Sequence, residues 1–137
     1  MLIRPLLVIA LLLCGAPAHA ADAPAGPYLF DLLKQKPYLA AWNTMLAGAG
    51  AGVPAWVKNY AKTFDGPSSP SKGVPIQGKV YTLGWVCKAH DCGDNQLHVL
   101  FAPGAAQAWG LLTTSGQQKW LGNPAAAIQA AINSNLE

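Results

Sequence analysis

The chain has 137 residues, 52% of them hydrophobic and 11% charged, with a formal net charge of +3. That length supports one hydrophobic core rather than two domains, and so slight a cationic excess argues against nucleic acid or an anionic membrane as the partner. Much of the apolar content is at the start: Arg4 gives a short positive region, residues 6–13 an apolar stretch, and Ala18-His19-Ala20 a small-residue cleavage site, the pattern of an export signal.

The apolar stretch is too short to cross a bilayer as a helix, which takes about 20 residues. The expectation is therefore a signal peptide over residues 1–20, cleaved near Ala20-Ala21, and a single domain over residues 21–137 with no membrane attachment once the signal is gone. Cys14 would leave with the signal, and Leu13 stands where a lipoprotein signal needs a small residue. The remainder carries eight lysines against six acids, a net of +2, with the lysines too scattered to form a basic patch. Cys87 and Cys92 are then the only thiols in an oxidising compartment and should pair with each other.

Residues 21–27 have no apolar period and read as a flexible leader. Leu29, Leu32 and Leu33 mark one helical face, Pro37 interrupts, and Leu39, Trp42, Met45 and Leu46 resume at helical spacing. Gly48, Gly50 and Gly52 punctuate the chain before Pro54, which is expected at the first position of a third helix carrying Trp56, Val57 and Tyr60. Residues 65–73 contain no large apolar side chain and read as the longest exposed loop.

The period then changes to two. Over residues 79–87, Tyr81, Leu83 and Trp85 alternate with Val80, Thr82 and Val86, and Leu97, Val99 and Phe101 alternate again after Cys92. Pro103-Gly104 turns the chain into a third strand over residues 108–114, and Ser115-Gly116 turns it into a short fourth over 118–121. Such short connections make an antiparallel meander. Asn123-Pro124 is expected to start a last helix whose Ile128, Ile132 and Leu136 pack on the sheet. Helices, then strands, then a helix, without βαβ alternation, predict an α+β fold: a central antiparallel sheet with helices packed on it and a protruding disulfide-closed hairpin loop.

That loop, Cys87-Lys88-Ala89-His90-Asp91-Cys92, holds the candidate functional residues. Closing so small a ring contributes about 2 kcal/mol by the chain-entropy estimate. Stability alone is thus an incomplete reason for it, and preorganisation for entry into a partner's cleft is a better one. Ala89 is its largest apolar side chain between the cysteines, so the ring should stand in solvent. A plain loop staple is the competing reading. Cys87, His90, Cys92 and His98 are set aside as a zinc set because export favours a disulfide and the spacing is not C-x₂-C. A redox motif would be C-x-x-C. No metal, cofactor or enzyme activity is expected: there is no Ser-His-Asp order, no phosphate loop, and the single glutamate is Glu137. His98 alternates with Leu97 and Val99 and is placed on the sheet's outer face, and the five tryptophans are read as core, with Trp109 the one to check for exposure.

Gly78-Lys79-Val80-Tyr81, Gly84-Trp85-Val86, the ring itself, Asn95, and Gly122-Asn123-Pro124 with Ile128 together resemble the Ivy family, the periplasmic inhibitors of vertebrate (c-type) lysozyme. The resemblance implies a periplasmic protein, a homodimer in at least some members, and a ring that plugs the lysozyme active-site cleft. It assigns His90 as the residue inserted between the catalytic carboxylates, Lys88 and Asp91 as its ring neighbours, and the two cysteines as the staple. Ala89 departs from the commoner ring, which has proline before the histidine. The alternative function is a periplasmic module that binds or regulates the cell's own peptidoglycan-cleaving enzymes, lytic transglycosylases, with weak or no lysozyme inhibition.

Overall fold

A computed structural model of the chain describes residues 24–136, so the expected signal peptide lies outside the described residues. The first helix, α1 (Leu29–Leu33), buries Leu29, Leu32 and Leu33, the face expected from their spacing. Pro37 marks the break expected between two helices. It occupies the first turn of α2 (Lys36–Gly48), where an amide N–H would have no helical partner in any case. Trp42 and Met45 point inward from α2. α3 (Ala55–Thr63) starts one residue later than the sequence suggested, with Pro54 as its cap, and buries Val57 and Tyr60.

Five strands follow, not four: β1 (Ser68–Ile76), β2 (Lys79–Cys87), β3 (Asn95–Phe101), β4 (Ala108–Thr114) and β5 (Gln117–Leu121). They pair antiparallel in chain order as one meander. The additional strand is β1, which falls largely in the stretch read as an exposed loop. Its two prolines, its glycine and its serines have no strand propensity of their own. Tertiary context overrides them: β2 supplies one ladder, while on the outer edge the Gly26 N–H donates to the Ser71 carbonyl and the Ser71 N–H to the Pro27 carbonyl. Pro70 sits at a register shift between Ser69 and Lys72, and an edge strand tolerates Pro75. The same bonds show that the leader's last residues, 26–27, are pinned to the sheet.

The sheet is the middle of three layers. Val86, Leu97, Val99, Phe101, Ala108, Leu112 and Leu121 point to one face and pack with α1, α2 and α3 around Trp42 and Tyr60. Val74, Leu83, Leu100 and Leu111 point to the other and pack under α4 (Ala126–Asn133) through Ile128 and Ile132. The last helix therefore begins two residues beyond the expected Asn123-Pro124 start, with Ala125 as its cap. Asn123 instead takes a left-handed conformation (φ 54°), which asparagine tolerates, as the chain turns off the sheet. Leu136 lies past the helix and is exposed, so it is not part of the packing stripe. His98 is also corrected: its face of the sheet is covered rather than outer, and it is buried beside Trp85 and Leu111. Trp109 is half-buried against Tyr81.

Candidate functional site

The β2–β3 hairpin ends at the pair Cys87–Gln96, and the residues between do not continue the ladder. Cys87 and Cys92 are joined by a disulfide, with Cα atoms 4.9 Å apart. Inside this ring the Lys88 N–H donates to the Asn95 carbonyl at 3.0 Å, and the Asp91 N–H donates back to the Lys88 carbonyl at 3.1 Å, making a tight turn. His90 stands at the bend with φ 63°, in the left-handed region. A non-glycine residue enters that region only when its surroundings demand it. Here the disulfide and the two backbone bonds supply the demand.

The ring is anchored on three sides. Cys87 is fully buried, and its N–H donates to the Pro67 carbonyl at 3.0 Å. Gly66, with φ 114°, lies against the ring's base: a Cβ there would overlap the carbonyl oxygen of Cys87 and stand 3.5 Å from the Ala89 nitrogen. On the opposite flank the Gly116 N–H in the β4–β5 turn donates to the Asp94 carbonyl at 3.3 Å. Below, Gln96 bridges the hairpin, accepting from the Trp85 indole N–H at 3.1 Å and donating to the Gly93 carbonyl at 3.4 Å.

Of the ring side chains, His90 and Asp91 are exposed and Lys88 and Ala89 are half-buried, while Cys87 belongs to the core. The Lys88 ammonium and the Asp91 carboxylate form an ion pair of 3.0 Å along one side of the ring. Both groups are about half exposed, so the pair adds little to overall stability. It does take up both formal charges of the ring. What the tip offers a partner is an imidazole, a donor and acceptor in one rigid plane, in a nearly neutral setting.

The family model described as "Inhibitor of vertebrate lysozyme (Ivy)" matches residues 37–136. The chain belongs to the Ivy family. It is 34% identical to the inhibitor of vertebrate lysozyme of Pseudomonas aeruginosa over 146 residues, 95% of this chain and 92% of that protein. It is 29% identical to the inhibitor of vertebrate lysozyme of Escherichia coli K12 over 150 residues, the whole of this chain and 89% of the relative. An uncharacterised protein of Yersinia pestis is 32% identical over 81% of this chain and 77% of its own.

In this Ivy-family chain the structure brings all six expected ring residues into one protruding turn and leaves His98 apart from them, buried in the middle of β3 beside Trp85 and Leu111. Among the described residues no three His, Cys, Asp or Glu side chains converge on a point that could hold a metal ion. Two features of the Ivy ring escaped the sequence reading. The Lys88–Asp91 pair had a signal, opposite charges three residues apart inside a closed loop. The Gly66 support had none, because its contact with Cys87 spans twenty-one residues and rests on a strand that the composition concealed.

Proposed function

We propose that the chain is an exported, periplasmic inhibitor of c-type lysozyme that occludes the enzyme's active-site cleft with the 87–92 ring, His90 leading. In this reading residues 1–20 are removed on export, residues 21–137 act as one domain, and the protein is not itself an enzyme. The observation that carries it is the presentation of His90: exposed, at the bend of a disulfide-closed turn, on a backbone whose left-handed conformation is held from both sides.

Lysozyme works with two carboxyl groups, one kept protonated as general acid and one ionised. A neutral imidazole has one N–H donor and one ring nitrogen that accepts. It therefore matches that pair in its resting state, donating to the ionised carboxylate and accepting from the protonated acid. The imidazolium form donates through both nitrogens, satisfying two ionised groups instead. Either way the inserted ring fills the sugar site and removes the proton donor that glycoside cleavage needs. Because the ring is rigid before contact, little further ordering entropy is lost on binding.

The direct test is the activity of c-type lysozyme titrated with the purified protein, with and without a reductant, and with a lytic transglycosylase assayed in parallel. Inhibition of lysozyme should be dose-dependent and should fall at least tenfold when the disulfide is reduced, while the far-ultraviolet circular dichroism is retained, since closure of a six-residue ring is worth only about 2 kcal/mol to the fold. Inhibition that is indifferent to reduction argues that the ring is not the inhibitory element.

Ala89 offers a gain-of-function check. Its N–H takes part in no backbone hydrogen bond among the described residues, so proline there removes no partner. Ala89→Pro should reduce the freedom of the unbound loop and tighten the inhibition constant by about twofold to fivefold, from about 0.4–1 kcal/mol of backbone entropy. A weaker inhibitor would mean that Lys88 cannot adopt the extended backbone preferred before proline.

A further inference from the structure

The two limbs of the ring leave the β2–β3 hairpin together but are held differently. Burial fixes the entry limb: Cys87 is fully buried, its N–H donates to the Pro67 carbonyl, and Gly66 lies against it. The exit limb has less support. Cys92 is half-buried, Gly93 and Asp94 are exposed, and open space surrounds the Gly93 α-carbon, so packing takes hold only at the buried Asn95. Among the described residues, the side chain that holds Gly93 is that of Gln96, whose amide N–H donates to the Gly93 carbonyl at 3.4 Å.

That donation depends on Trp85. A glutamine amide has one end that accepts and one that donates, whereas an indole N–H only donates. The Trp85 N–H donates to the Gln96 oxygen at 3.1 Å, so the NH2 end of the amide is turned toward Gly93. The indole is itself a fixed point. Trp85 lies within β2, paired with Ser69 on one side and His98 on the other; its carbonyl accepts from the Ser68 hydroxyl at 2.7 Å, and its ring lies 6.4 Å from that of His98, centroid to centroid. A rigid donor thus orients an amide, and the amide holds the exit limb.

We propose that Trp85 and Gln96 are positioning residues for inhibition: their hydrogen-bonded relay fixes the exit limb of the ring and with it the angle at which His90 is presented. The inference rests on the reading of the ring given above. Neither side chain has to touch the partner. Without the relay the limb samples several orientations, and only the fraction with His90 in the productive one enters the cleft. Once the ring is inserted, the cleft holds it instead. Loss of the relay therefore slows association and leaves dissociation nearly unchanged, the reverse of what a lost contact does.

The test measures association and dissociation rates with c-type lysozyme for Gln96→Glu, Gln96→Met and His90→Ala, well below each variant's melting temperature and as ratios to the parent at the same pH. In Gln96→Glu the ionised carboxylate still accepts from the indole but has no proton to give the Gly93 carbonyl, so at neutral pH association should slow about tenfold with dissociation within about twofold of the parent. Protonation restores a donor, and association should return to within about twofold of the parent as the pH falls through the carboxylic-acid range, about pH 4–5. Gln96→Met, of similar length but without a donor, should associate slowly at every pH, and His90→Ala should act chiefly through faster dissociation. Parent-like association of both Gln96 variants, slowing of Gln96→Glu that acid does not relieve, or an effect confined to dissociation would each overturn the relay, and with His90→Ala still inactive the ring would stand. An undiminished His90→Ala would remove the ring reading and this inference together.

Discussion

Replacing His90 with alanine is expected to raise the inhibition constant for c-type lysozyme by about a hundredfold or more. On the proposed mode of insertion, two hydrogen bonds to catalytic carboxyl groups would be lost, each worth about 1.5–3 kcal/mol, and the enzyme's desolvated carboxyls would be left without a partner. The fold should barely notice, because the side chain is exposed and bonds to no other described residue. One complication is the backbone. His90 sits at φ 63°, where alanine is less at ease than histidine or asparagine, so His90→Ala also loosens the bend. His90→Asn separates the two effects: asparagine accepts the left-handed conformation but has a shorter, differently shaped donor and acceptor. Both variants should lose inhibition, His90→Asn at the parent's melting temperature and His90→Ala with a decrease of a few degrees. If His90→Asn inhibits like the parent, the conformation of the ring matters and the imidazole does not.

Gly66→Ala should lower both the stability of the fold and the strength of inhibition. A Cβ at that position overlaps the Cys87 carbonyl oxygen, which is backbone and cannot swing aside as a side chain would. The φ of 114° is in addition a region that glycine enters and L-residues avoid. The chain must relieve both by moving the 64–67 segment away from the hairpin, at the expense of the Cys87–Pro67 hydrogen bond. A loss of about 2–4 kcal/mol in unfolding free energy follows from strain plus the broken bond. Inhibition should weaken by about tenfold even for the folded fraction, since the ring loses its support on one side. Denaturant unfolding and inhibition titration of the same preparation measure the two consequences separately. Unchanged stability would show that the segment yields without strain and does not position the ring.

Where the periodic signal was strong, local pattern and final structure agree. β2 through β5 and the burial of α1, α2 and α3 follow from apolar spacing, because each of those residues is inward-facing in the element that its own neighbours favour. The disulfide followed from counting: two thiols in a domain expected to be exported, five residues apart, flanked by two strands. The six ring residues and the solvent position of His90 were legible for the same reason, since a loop that short has almost no choice of path.

What escaped was decided by partners far away in the chain. β1 reads as a loop because Ser68, Ser69, Pro70, Ser71 and Gly73 favour turns, and it is a strand because β2 on one side and residues 26–28 on the other satisfy its backbone groups. His98 reads as outward-facing because a strand shows only alternation, and the side that α4 covers is settled by the packing of Ile128 and Ile132. The ring's existence and composition are thus properties of the sequence, whereas the left-handed bend at His90, the Gly66 support and the Trp85–Gln96 bond beneath it exist only in the folded chain. Local propensity acts over a few residues, and those three features depend on contacts that reach further.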